Sequence, residues 1–185
     1  MEVPLSERSV RRLASAGLAV GGVFGIAGTF AQTPALRGIA WGIDGVALVL
    51  ASSVLTTLFL RKGLDIGATG FLVFLAGQVL VLATSGMDVG DGAPVFGAGV
   101  SLWSLGLILI STARVFAPLV RAGGVAAAIL FILVAFQIFA GGQVTALSKP
   151  LPFNAYPVLV ATMGGWIWTL LGRNELSSPQ AGSAG

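Results

Sequence analysis

Residues 38–60 read GIAWGIDGVALVLASSVLTTLFL, an almost wholly apolar run interrupted by one carboxylate, Asp44. At 1.5 Å per residue such a run, wound as a helix, covers ~34 Å, which matches the ~30 Å hydrocarbon core of a bilayer. No other acidic residue lies well inside any apolar run of the chain. The rest of the sequence repeats this pattern of apolar run and short polar turn, so the whole chain is expected to be one bundle built around this helix.

Composition supports the same class. The 185 residues are 56% hydrophobic and 9% charged, with a mean hydropathy of +0.96. A water-soluble domain carries about a quarter charged residues. With about 20 residues per span, six or seven spans are the most that fit. The expected fold is therefore all-α: a polytopic integral membrane protein, a six-transmembrane-helix bundle. Helices are expected at about 13–31, 38–60, 64–84, 95–115, 122–140 and 157–172. Residues 1–12 form a cytoplasmic N-terminal segment in this reading, and 173–185 a disordered Ser/Gly/Ala tail. The apolar run after Arg12 is longer than the 7 to 15 residues usual for a secretion signal and is read as a retained helix.

Eight Lys and Arg residues fall at the N-terminus, the second and fourth turns and the C-terminus, against only Arg37 and Lys149 on the other side. The positive-inside rule then places both termini in the cytoplasm, and the plasma membrane is the expected location. The same rule explains the net charge of +3, so no nucleic-acid partner is inferred. Each half holds three helices, so a 3+3 repeat would have to be inverted across the membrane. The only trace of one is Phe30-Ala31 with Pro34 and Arg37, against Phe116-Ala117 with Pro118 and Arg121.

Several turns and aromatics have specific expectations. Pro34 is read in an outer turn before the second helix, Pro118 in an inner turn, and Pro94 as the first residue of the fourth helix. Trp41, Trp166 and Trp168 are read as interfacial belt residues. The proline-rich connection 141–157 is the best placed to cover the bundle. Asp65 opens the third helix, where a carboxylate suits the helix dipole. Asp88 and Asp91 sit among glycines in a turn that lacks the spacing and closing Glu of a calcium loop, so no metal site is assigned.

The chain has neither Cys nor His. Thiolate chemistry, His-ligated haem and imidazole catalysis are excluded by that, and no second embedded acid is available to pair with Asp44. No catalytic residue, no cofactor and no enzymatic activity is expected.

Two groups of residues stand out. Gly17, Gly21 and Gly25 recur every four residues on the first helix, with Gly28 on the same side, as a small-residue packing seam. Asp44, Gln78 and Gln137 are the intramembrane polar candidates. Counting along their helices sets them ~9, ~9 and ~6 Å below the outer ends, in one layer, where a carboxylate and two amides would form a hydrogen-bonded network. On the second helix, Gly45, Ser52, Ser53 and Thr56 line one face, read as hydroxyls bonding their own or neighbouring helices.

Two functions are compatible with these residues. The first is a structural or partner-binding membrane subunit, whose partners are the lipid bilayer and either further copies of itself or another membrane protein. The alternative is a small-solute or proton-coupled transporter using Asp44. The sparse polar interior favours the first.

Overall fold

The computed structural model describes residues 6–84, Met87 and 89–172, the side chains of 89–91 excepted. The expected tail 173–185, Asp88 and the Asp91 side chain lie outside the described residues. Six helices follow in order: α1 (Glu7–Phe30), α2 (Pro34–Arg61), α3 (Asp65–Ala83), α4 (Val89–Thr112), α5 (Pro118–Phe139) and α6 (Ala155–Gly172). All six contain a stretch long and apolar enough to cross a membrane.

Helix starts differ from the hydropathy reading, and for α1 and α2 side-chain caps set them. α1 begins at Glu7 and not at Leu13: the Ser6 Oγ accepts the Ser9 N–H at 3.2 Å, and Glu7 puts a carboxylate in the first turn. α2 begins at Pro34, with the Thr33 Oγ1 accepting the Leu36 N–H at 3.2 Å. α5 begins at Pro118. Both prolines, expected in turns, occupy the first helical position, where a missing N–H costs nothing. Pro94, expected to open the fourth helix, lies inside α4.

Each helix packs antiparallel on its chain neighbours, and α6 closes back on α1. Among the described residues no two helix backbones come close across the middle, so the architecture is a ring of six. A ring leaves an axial space, and aromatic side chains fill much of it. Trp103 stacks on Phe74 at 5.7 Å between centroids and meets Phe131 edge-on at 5.2 Å. Below them Trp166 contacts Phe74, Phe71 and Phe116, and Phe59 closes the column against Phe71 and Phe116. Trp166, expected in an interfacial belt, is thus a core residue, whereas Trp168 two positions on is 79% exposed.

Glycines set how closely the ring closes. Gly17 of α1 faces Ala47 and Ala51 of α2, Gly21 faces Leu48, Gly25 faces Tyr156 of α6, and Gly28 faces Trp41. The expected seam is spent inside the chain. A second, tighter seam joins α3 and α4, where Gly70 and Gly77 lie against the backbone of Gly106 and Gly99. Three hydroxyls of α2 bond back along their own helix, Ser53 to the Val49 carbonyl, Thr56 to Ser52 and Thr57 to Ser53, whereas the Ser52 hydroxyl, expected to bond likewise, is buried without a partner among the described residues.

At the end of the ring that carries α1's start, Glu7 pairs with Lys62 at 2.7 Å and with Arg11 at 3.5 Å. Arg121 Nε donates to the Ser111 carbonyl oxygen at 2.6 Å, capping the last turn of α4.

Candidate functional site: a cavity at the α1–α2 end

Six antiparallel helices present the α1–α2, α3–α4 and α5–α6 connections at one end, and there the aromatic column stops short. The space above it is a cavity of about 470 Å³, within the ~300–1,000 Å³ usual for small-molecule sites. Its mouth is formed by Pro34 and Arg37 of α2 and Thr84 at the end of α3. Val144, Thr145 and Ala146 of the α5–α6 connection form one side, so the segment expected to cover the bundle does line the space. Trp103 and Phe131 lie at its deep end.

The polar groups converge on that deep end. Asp44, on the inward face of α2 between Ala40 and Leu48, is 6% exposed and lines the cavity. Tyr156 reaches across from the first turn of α6 and its hydroxyl donates to Asp44 Oδ1 at 3.1 Å. Among the described residues no Lys or Arg lies within ion-pair distance of this carboxyl. Gln78 of α3 also lines the cavity at 2% exposure, and its Oε1 is buried without a donor. Trp103 Nε1 is a buried donor without an acceptor.

The structure therefore brings Asp44 and Gln78 to one cavity. Gln137 does not join them: it lies on the exposed side of α5, because Val134, Ala135 and Ile138 take the inward face. The place expected for a second amide is taken by Tyr156. Its ring lies 6.5 Å from that of Trp103, tilted by 41°.

The two cations near the mouth are held elsewhere. Arg37 Nη2 donates to the Ala31 carbonyl oxygen at 3.1 Å, and its guanidinium lies 5.9 Å from the centre of the Trp41 ring. Lys149 sits over the Phe153 ring at 4.7 Å. Trp41, expected in a belt, instead lines the cavity and donates from Nε1 to the Gly25 carbonyl at 3.3 Å.

Sequence reasoning missed Tyr156 and Trp103. Tyr156 is the only tyrosine of the chain and falls in a proline-rich stretch read as a loop. Its being a lone phenol beside an apolar run was the available signal. Trp103 sits mid-helix in α4, too deep for a belt residue, which was the signal there. No family model, no curated protein and no solved structure matches this chain.

Proposed function

We propose that the chain is a multi-pass protein of the plasma membrane, with both termini cytoplasmic, that acts as a carrier for a small solute. The solute loads into the cavity from the outer side, and Asp44 is the carboxylate that holds it. One observation carries this reading: a cavity of small-molecule size reaches a buried carboxyl that, among the described residues, has no cation beside it. Ionisable groups within spanning helices are costly and are kept where a pathway uses them. A purely structural Asp44 would be better served by a neighbouring Lys or Arg, and both nearby cations are engaged elsewhere.

The subunit reading rests on a sparse polar interior; against it weigh Asp44, Gln78 and Tyr156 gathered at one cavity, and an α1 seam already occupied by α2 and α6. A carrier is favoured over a pore because the aromatic column closes the axis beneath the cavity.

The absence of cysteine makes the test clean. Val81→Cys, which places a thiol on the cavity wall, should react in intact cells with a membrane-impermeant methanethiosulfonate reagent. Phe74→Cys, in the column below, should react from the cytoplasmic side in inside-out vesicles as the carrier alternates. Failure of Val81→Cys to react removes the solute site. Reaction of Val81→Cys without Phe74→Cys would leave a binding protein that does not transport.

A further inference from the structure

Two side chains at the deep end of the cavity hold acceptors that are short of donors. Asp44 offers a carboxylate of which one oxygen takes a single hydrogen bond from Tyr156, and Gln78 adds an amide oxygen with no donor at all. Both belong to side chains more than nine-tenths buried, on the adjacent helices α2 and α3. A buried acceptor without a donor is expensive, and a buried carboxylate without a countercharge more so. A neutral ligand would satisfy the hydrogen bonds and leave the charge. A cation with several N–H groups answers both.

The walls agree with that chemistry. Trp103 and Tyr156 both line the space, their rings tilted by 41° to each other, and aromatic rings attract ammonium groups within ~6 Å of the ring centre. The upper walls are apolar, from Val81, Leu82 and Phe96 among others. At the mouth stands Arg37, seven residues before Asp44 on the same side of α2, ~10 Å further along the axis. A like charge at the mouth disfavours a ligand carrying positive charge along its length. It tolerates one whose charge is confined to the deep end.

Resting on the solute-carrier reading above, we infer that the ligand is an organic ammonium with an apolar body, its NH3+ seated between Asp44, Gln78 and the rings of Trp103 and Tyr156. The purified protein in mild detergent tests this by tryptophan fluorescence, since Trp103 lines the site. Three probes of one shape are titrated: 2-phenylethylammonium, 2-phenylethanol and phenylacetate. The ammonium should bind saturably and at least tenfold more tightly than either of the others. Asp44→Asn should abolish that preference, and Gln78→Leu, which keeps the charge and the apolar volume, should weaken the ammonium severalfold.

Equal binding of alcohol and ammonium, or full ammonium binding by Gln78→Leu and Asp44→Asn, would overturn the ligand class while leaving a solute site in place. Absence of binding by the ammonium overturns it too. Labelling of Val81→Cys reports separately whether the cavity admits solutes at all.

Discussion

A methyl group on Gly25 would occupy the space of the Tyr156 hydroxyl, so it is the missing side chain on α1 that lets α6 reach Asp44 on α2. Three helices meet through one hydrogen bond. Tyr156→Phe removes the only donor to Asp44 Oδ1 among the described residues and should cost on the order of 1–3 kcal/mol, the usual penalty for stranding a buried polar group. Gly25→Ala should displace the ring and break the same bond, although alanine is intrinsically the better helix former by ~1 kcal/mol. The two effects are then coupled: in the Gly25→Ala background, Tyr156→Phe should cost far less than in the wild type. Denaturation in detergent of the four variants of this cycle measures it, and strict additivity would show that Gly25 and Tyr156 act separately. Gly42→Ala, with nothing near the added carbon, serves as control and should leave stability unchanged or raised.

Between elements, α3 and α4 make the closest contact of the ring. A Cβ on Gly77 would lie 2.6 Å from the Gly99 carbonyl oxygen, and one on Gly106 would lie 2.8 Å from that of Gly70. The obstacle is backbone, which cannot rotate away, so the helices must separate. Helices in lipid are held by close packing and not by hydrophobic exclusion, which makes such separation costly. Gly77→Ala should destabilise by about 1–3 kcal/mol, read as a lower melting temperature in detergent than that of Gly164→Ala, whose added carbon meets nothing. This seam was not read from the sequence because its glycines recur every seven residues, 70 with 77 and 99 with 106, across two separate runs. The α1 glycines were read because four-residue spacing repeats within one. The six helices were legible for a simple reason: each is apolar for long enough to register by hydropathy alone. Their starts were not, because Pro34 and Pro118 signal a turn and a first helical position equally well; the Thr33 cap marks the start for Pro34, but Ala117 before Pro118 offers no side-chain cap. The site was half legible. Asp44 and Gln78 were found by depth along their helices, but depth says nothing of which face points inward, and that excluded Gln137 and hid Tyr156.

At the scale of the whole molecule, the ring has two unlike ends. One is open, with the cavity and its apolar and aromatic walls; the other is closed by Phe59, Phe71, Phe116 and Trp166 and carries Arg8, Arg11, Arg12, Arg61, Lys62, Arg114 and Arg121 near its rim. Antiparallel neighbours tie this polarity together: fixing the side of any one connection fixes the side of all the others, and with them the side from which the cavity loads. The basic residues should hold the closed end in the cytoplasm. Gln143→Cys, in the α5–α6 connection at the cavity end, should therefore be labelled in intact cells by a membrane-impermeant maleimide, and Gly63→Cys, in the α2–α3 turn at the other end, should be labelled only after the cells are opened. Gly63 has a φ of +67°, so the turn tolerates cysteine with some strain, and Lys62→Cys gives the same reading without it. Labelling of the two ends in the opposite order would turn the cavity toward the cytoplasm and make the protein an exporter by loading side. Labelling of both ends from outside would contradict the ring itself, since no arrangement of six alternating spans puts consecutive connections, or connections three apart, on one face.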